Sequence, residues 1–559
     1  GNVWAWGGNE YGQLGNGGLD NMLKPSIISS EVIKTEPNPA IMSVGEEKQL
    51  TSSLNHGFNL IEDIIEKGNI SYEVIDSDIA EVTADGKITA KQQGRTVIKA
   101  SHPRGVISPI FVIVTEDGNI AIPEVEIGDG FMAALKSNGE VWSWGVNNNG
   151  QLGLGDKYTK DTPTKVESVK DIIDIATGDS HTVAVDLNGN VYAWGLNEYG
   201  QLGNMTADTS YVPVEVLDAN GEKLENIVKV AAGGNKSVAL DSKGNVWIWG
   251  QGNLRYATKI ANVKNAIDIS AEYAVKANGK VAKLSNGQEL QNVSNAVEVS
   301  TGFDHTLILS LDGVGYAVGN NTYGQLGVGT GIENTEEPVG IKDSTGVRVL
   351  SGIKELKAGK QFSIALLENG EVYVWGSNET YKLAMEEYPE VEVVANAEGP
   401  SKGIEEEPEV PETKGQALPI KNDKFTNTLS VFAGPENGAM INTEGYVFTW
   451  GAGESGQLGN KLREDSYDLN IVGQDELGLE KYKMNVEVGE EYKLDAYNKT
   501  FNVLSDWKKL YDVTFESGNE NIATISEDGN ITGIKEGYTT ITVRKKDTEY
   551  VNIMQLSIV

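Results

Sequence analysis

At 559 residues the chain is too long for one ordinary hydrophobic core, and 23% charged with 39% hydrophobic residues describes a globular polypeptide rather than a disordered one. A net charge of −35 repels phosphate backbones and anionic lipid surfaces, so neither nucleic acid nor a membrane surface is an expected partner. There is no cysteine, which removes disulfides, thiolate nucleophiles and cysteine metal sites together, and no apolar run is long enough for direct membrane insertion.

The chain opens inside a pattern that returns many times. Val3-Trp4-Ala5-Trp6-Gly7 is followed by Gly12-Gln13-Leu14-Gly15 and the short apolar strand Lys24-Pro25-Ser26-Ile27-Ile28. Residues 1–30 read as half a repeat, a strand pair with its Gly-Gln-Leu-Gly loop, because the two strands that should precede Val3 are missing. Such a start reads as a fragment of a longer chain, with any export signal or anchor lying outside it.

Residues 31–117 change character. Tyr72-Glu73-Val74, Ile79-Ala80-Glu81-Val82, Lys87-Ile88-Thr89-Ala90, Thr96-Val97-Ile98-Lys99 and Pro109–Val114 alternate with period two between Gly/Asp turns, which predicts a small β-sandwich. Residues 474–559 repeat the plan through Ile522-Ala523-Thr524-Ile525, Asp528-Gly529-Asn530-Ile531-Thr532 and Gly537-Tyr538-Thr539-Thr540-Ile541-Thr542-Val543. Both segments resemble the bacterial immunoglobulin-like domain of group 2. The resemblance implies spacers or adhesive modules on a bacterial surface protein.

Between the sandwiches, residues 118–473 carry the repeat array. A full unit runs as Ile172-Ile173-Asp174-Ile175-Ala176, Gly178-Asp179-Ser180-His181, Thr182–Val185, a turn at Asp186–Asn190, then Val191-Tyr192-Ala193-Trp194-Gly195 and Gly200-Gln201-Leu202-Gly203. A further strand follows, often marked by proline, as at Pro163, Pro213 and Pro338. Four short antiparallel strands at a period of mostly about 50 residues describe the blades of a β-propeller. Complete units start near residues 123, 172, 227, 266, 296, 353 and 428, which makes seven blades, with eight as the alternative. The fourth is eroded, with Val281-Ala282-Lys283-Leu284 in place of the Trp-Gly strand. The sixth replaces Gly-Gln-Leu-Gly by Tyr381-Lys382-Leu383-Ala384 and runs into an acidic, proline-containing insertion at 385–425, which includes Glu405-Glu406-Glu407-Pro408. Strand, Gly-x-x-His, strand, turn, Val-aromatic-x-Trp-Gly and Gly-Gln-Leu-Gly resemble the regulator of chromosome condensation repeat family, whose fold is a seven-bladed propeller. Its type member is a nucleotide exchange factor for a nuclear GTPase that also docks on chromatin. Those activities depend on loops of that branch, and the charge here opposes chromatin.

Candidate chemistry dissolves into structure at most positions. Trp4, Trp6, Trp142, Trp144, Trp194, Trp247, Trp249, Trp375 and Trp450 occupy repeat-edge positions, which is expected of inter-blade core; Trp507 stands apart. His181 and His305 share one repeat position, read as filled by Asn235 and Gln361 elsewhere, which suggests a hydrogen-bonding structural role. His56 and His102 are isolated, and no zinc spacing, nucleophile elbow or phosphate-binding loop occurs. Asp186-Leu187-Asn188-Gly189 lacks the alternating ligands of a calcium loop and reads as a hairpin turn.

The expectation is therefore an all-β chain: a seven-bladed propeller flanked by two small Ig-like β-sandwiches, not an enzyme, with no catalytic, metal or cofactor residues and no cofactor. The expected role is an extracellular or cell-surface bacterial protein whose propeller-face loops bind a protein or polysaccharide ligand. An exchange-factor-like regulatory propeller and a purely architectural spacer are the alternatives. The breaks in the pattern, residues 266–293 and 385–425, are the expected places for function.

Overall fold

The computed structural model describes residues 4–7, 22–27, 32–55, 65–66, 69–116, 118–387, 415–473, 477–479, 481, 483–498, 500–504, 508–510, 512–546 and 551–559. Tracts holding His56, Glu405–Glu412 and Trp507 lie outside them.

Seven antiparallel sheets follow one another from Glu124 to Ile471, each with strands in simple sequence order. Their innermost strands are Glu124–Ile127, Ile172–Thr177, Ile227–Gly233, Ala266–Ile269, Ala296–Thr301, Ile353–Ala358 and Thr428–Ala433. The second strands, such as His181–Asp186 and Phe362–Leu367, are buried along their whole length because both sheet faces pack on neighbouring blades. The outermost strands, such as Ser210–Glu215, are largely exposed or half-buried. Blade 4 has three strands, ending at Val281–Lys283, as its eroded sequence predicts. In blade 6 the outermost strand is Gln416–Lys421, so the stretch read as insertion at 385–425 ends in regular structure. Its Ala417 and Leu418 face the corner of blade 5, and this packing overrides the acidic composition just before it.

The recurrent motif makes the joint between blades. The indole Nε1 of Trp249 donates to the carbonyl of Gln201 in the preceding blade, at 2.9 Å. Trp375 does the same to Gln325 at 2.8 Å and Trp450 to Lys382 at 2.9 Å. Leu152, Leu202, Leu326, Leu383 and Leu458 of the same corners are completely buried. The final glycine has a positive φ and lies under the next tryptophan: a Cβ at Gly203 would sit 2.9 Å from Trp249 Nε1. Trp144 of blade 1 donates to Gln457 of blade 7 at 2.8 Å, so the ring closes after seven blades and not eight. Near the start of the chain, Trp4–Gly7 pairs antiparallel with Met22–Ile27 in a separate two-stranded sheet, with the bulge that the third and fourth strands of complete blades also show.

The two flanking segments share one topology. In the first, Ala40–Ser43 pairs parallel with Ile107–Thr115, which continues antiparallel to Gly94–Ser101 and Ser71–Val74. In the second, Lys483–Val486 pairs parallel with Val551–Ile558, which continues antiparallel to Gly537–Lys545 and Val513–Ser517. Neither is a free spacer. Asn38 of the first sandwich donates to the Ser242 carbonyl in a turn of blade 3 at 2.7 Å, and Phe111 and Val97 join the core around Val228, Ala266 and Ile267. The second reaches the seam between blades 7 and 1: Ser137 N donates to the Val503 carbonyl at 2.8 Å and Val503 N to the Gly445 carbonyl at 2.9 Å. Phe501 stacks near the rings of Trp142 and Trp144, with centroids 5.6 and 5.9 Å away.

Phe501→Ala should open a cavity at the closing seam and cost about 3 kcal/mol, the usual toll of a buried phenylalanine. Chemical denaturation should register the loss, together with faster amide exchange in Val141–Gly145 and Val447–Gly451.

Candidate ligand channel

The innermost strands surround a central cavity of about 1080 Å³. Each carries one residue at a common register position, opposite Leu135, Val185, Leu240, Val275, Leu309, Leu366 and Ile441 of the second strand. The residues in that ring are Glu124, Asp174, Lys229, Asp268, Glu298, Glu355 and Ser430. Four of the carboxylates accept a backbone N–H from the next blade. Ile175 N reaches Glu124 at 2.9 Å, Val230 N reaches Asp174 at 2.7 Å, Val299 N reaches Asp268 at 2.8 Å and Val431 N reaches Glu355 at 3.0 Å. Each bond satisfies a donor that the next blade would otherwise leave unpaired facing the channel. Two residues further along lies a second level that includes Glu126, Ala176, Ala231, Ser270, Ser300 and Lys357.

Charges in this confined space are paired, but not all. Lys229 pairs with Asp268, and Lys357 with Glu298 at 2.5 Å. Arg95 enters from the first sandwich: its guanidinium pairs with Asp174, stands 3.7 Å from Glu124 and donates to the Ile173 carbonyl at 2.7 Å. Burial alone would lower Arg95, yet Asp174 and Glu124 hold it above its ordinary value. Lys229 is raised in the same way against burial, by Asp268 and Asp174, and Lys357 by Glu298 and Glu355. Burial pushes Asp268 and Glu355 upward, and Glu124 as well, with Asp174 adding to burial and Arg95 opposing it. Glu126 is pushed by burial to about 7, against the pull of Lys357.

One end of the channel is thus stoppered. Both sandwiches dock on the face carrying the turns between second and third strands, where Ser137, Ser242 and Gly445 lie. The opposite face carries the turns between first and second strands and the Gly-Gln-Leu-Gly corners. There the channel mouth is lined by Asp129, Asp179, Gly234, Phe303, Lys360 and Pro435. Phe303 is 74% exposed, with Lys360 Nζ 5.8 Å from its ring centroid.

Two histidines join neighbouring blades. His181 and His305 are buried and bridge to the next blade, Nε2 to Ser237 Oγ and to Ser363 Oγ, each at 2.8 Å. Burial drives His181 down to about 3 and lowers His305 too, which keeps both neutral at ordinary pH. The register corrects the reading of this position in other repeats. The residues equivalent to His181 are Phe131, Lys236, Phe362 and Asn437, all opposite the glycine of the Trp-Gly strand, and not Asn235 or Gln361. The position is the third residue after a glycine, as His181 is after Gly178, Lys236 after Gly233 and Phe362 after Gly359: a Cβ at Gly178 would lie 2.2 Å from His181 Cε1, and one at Gly359 2.1 Å from Phe362 Cε1. A ring fits at the third residue because the first has no side chain. Asp186 is a turn residue, as expected: Asn188 N and Asn190 N both donate to its Oδ1 at 2.9 Å. Among the described residues no cluster of three or more acidic or histidine side chains could hold a metal ion. Trp144, Trp194, Trp249, Trp375 and Trp450 are completely buried.

The channel ring is what the sequence reading missed. Its signal was one polar residue per inner strand at a constant offset, as in Ile172-Ile173-Asp174-Ile175, Ile227-Val228-Lys229-Val230 and Ala296-Val297-Glu298-Val299. Neither broken-pattern region supplies this ring as a group; blade 4 contributes Asp268 alone.

Residues 86–492 match the RCC1-like domain. The chain belongs to the RCC1-like domain family. Residues 1–36 match the regulator of chromosome condensation (RCC1) repeat, and residues 479–553 the bacterial Ig-like domain of group 2. Among curated proteins, the chain is 25% identical over 380 residues to E3 ubiquitin-protein ligase HERC2 of Homo sapiens, covering 68% of this chain and 6% of that one. It is 24% identical over 360 residues to Protein pim1 of Schizosaccharomyces pombe, 61% of this chain and 60% of that one. It is 27% identical over 272 residues to Ultraviolet-B receptor UVR8 of Arabidopsis thaliana, 48% of this chain and 56% of that one. In each case the match spans less than two thirds of the relative. Prp20p from Saccharomyces cerevisiae, in a solved structure, covers 62% of this chain and 89% of its own at 20% identity with a TM-score of 0.49.

Two outcomes follow from the channel charges. Glu126 keeps its proton to about pH 7 in the fold but only to about 4.5 when unfolded. The folded chain binds the extra proton between those values, so stability falls as pH rises through that window. The groups bearing on it are Asp174, Lys229 and Lys357, and the upward shifts of Glu124, Asp268 and Glu355 act in the same direction. Glu126→Gln should match the parent below about pH 4 and exceed it by roughly 3 kcal/mol near pH 8 in denaturation curves. Arg95→Met should leave Asp174 and Glu124 unneutralised, cost about 3 kcal/mol, and speed amide exchange in Gly94–Ser101 more than in the blades.

Proposed function

We propose that the chain is a non-enzymatic binding module of an extracellular bacterial surface protein, in which the propeller presents its free face to a protein or polysaccharide ligand. The observation that carries this reading is the one-sided docking of the sandwiches. They occupy the face bearing Ser137, Ser242 and Gly445 and, among the described residues, leave the opposite face with the channel mouth uncovered. Phe303, Tyr158 and Tyr199 stand exposed on that free side at 74, 67 and 45%, the aromatic type of residue that supplies contact area at low entropic cost. The bacterial Ig-like domain supports a surface setting, and the net charge of −35 supports a partner other than nucleic acid.

Protease shaving and impermeant biotinylation of intact cells should label the full-length protein. Recovery of intact protein solely from the cytoplasmic fraction would sink the proposal. On glycan and host-protein arrays, Phe303→Ser and Tyr158→Ser should cut binding about tenfold with unchanged melting, the usual loss when one aromatic anchor is removed.

A further inference from the structure

We propose that the open half of the central channel is an acceptor chamber for one cationic side chain, arginine or lysine, of a protein ligand that enters through the mouth lined by Asp129, Asp179 and Phe303. This deepens the reading above, naming the partner chemistry of the free face, and rests on that face being the one a ligand reaches.

The first argument is charge. The channel wall carries Glu124, Glu126, Asp174, Asp268, Glu298 and Glu355 against Arg95, Lys229 and Lys357, and its mouth Asp129 and Asp179 against Lys360. These cations are committed: Arg95 to Asp174 and Glu124, Lys229 to Asp268, Lys357 to Glu298 and Lys360 to Glu436 at 2.9 Å. Glu355 accepts from Val431 N and from Ser430 Oγ, the latter at 2.7 Å. Glu126, on the side of the ring towards the open mouth, has no direct ion pair among the described residues; only the Thr177 backbone N–H and the more distant Lys357 and Lys229 favour its charged form. A carboxyl so weakly compensated in a confined space ionises at a cost, and a cation brought to it recovers part of that cost.

A second, separate observation lies beside it. Thr177 lines the same cavity, is 7% exposed, and its Oγ1 has no hydrogen-bond partner among the described residues. A buried hydroxyl without a partner is uncommon, and a ligand N–H is the donor that Glu126 and Thr177 could both accept. The chamber also has room. At the level of Glu126 the neighbouring blades contribute Ala176, Ala231, Ser270 and Ser300, where long side chains would fill the space.

The third argument is a precedent inside the molecule. At the stoppered end another domain already inserts a guanidinium between two channel carboxylates and a strand carbonyl. The ring is therefore built from groups that accept an arginine arriving from outside it. The open end offers a sparser version of that chemistry, the Glu126 carboxyl with the Thr177 hydroxyl beside it.

The test is calorimetric titration of the intact chain with the amidated peptide Gly-Gly-Arg-Gly-Gly, and with its Glu counterpart as control. A single saturable site for the arginine peptide is expected, with none for the glutamate peptide. Glu126→Gln and the chamber-filling Ala231→Phe should each weaken it at least tenfold, while the exposed Glu527→Gln on the second sandwich should leave it unchanged. Thermal melting confirms that each variant is folded, and two chemically different chamber variants guard against one failing. Affinity equal in parent, Glu126→Gln and Ala231→Phe would assign the binding to overall charge and overturn the proposal, as would absence of a saturable site. The titration does not depend on where the protein resides. Surface labelling with no peptide binding removes the chamber alone, and peptide binding by a cytoplasmic protein removes only the surface reading.

Discussion

The ring depends on the joint between the indole of one blade and the corner of the blade before it. For Trp144, Trp249 and Trp375 the buried indole N–H finds its acceptor in the glutamine carbonyl of the Gly-Gln-Leu-Gly corner before it, whereas at Trp194 that carbonyl, of Gln151, accepts from Thr182 Oγ1 and the joint is packing alone. The two halves of the joint appear and vanish together. Blades 3 and 4 lack the corner, and the blades that follow them lack the tryptophan, with the buried Leu284 at its place in blade 4 and Val318 opposite Thr306 in blade 5. Blade 6 keeps the joint with altered letters: Lys382 supplies the carbonyl, Leu383 the buried side chain and Ala384 the close approach, and Trp450 completes it. What reads as decay along the chain is therefore paired loss across an interface, and the ring tolerates it where both partners change.

The same geometry makes the channel. Inner strands held at a fixed radius bring one side chain per blade to a common level, and the carboxylates there staple the ring from inside through N–H groups of the next blade. Electrostatics then divides the molecule into two faces. Arg95 neutralises the end against which the first sandwich packs, and the second sandwich wedges Phe501 into the closing seam on the same side. Two domains that resemble spacers in sequence act as a stopper and a clasp.

Much of this was legible beforehand, because the signals were local and repeated. Val-x-x-Trp-Gly at a regular spacing gave the strands, the D-x-x-G turns gave the hairpins, and seven units gave the ring. The hydrogen-bonding role expected of His181 and His305 rested on Asn235 and Gln361 as their equivalents, whereas the register puts Phe131, Lys236, Phe362 and Asn437 there, so the position favours packing over glycine and the hydrogen bond belongs to the two histidine blades. The channel residues were not legible as a group. Asp174 and Glu298 are 124 positions apart, and each alone is a single polar residue in an apolar strand.

The sequence by itself determined the repeat, the strand order within each blade and the presence of two sandwiches, because these depend on period-two patterning, turn chemistry and contacts between near neighbours. Only the tertiary structure decided that the ring closes at Trp144 and Gln457, which polar residues share the channel, and which face the sandwiches leave free. Those facts depend on contacts such as Arg95 with Asp174 and Phe501 with Trp142. Such pairs are brought together by ring closure and by domain docking, and neither leaves a periodic trace in the chain.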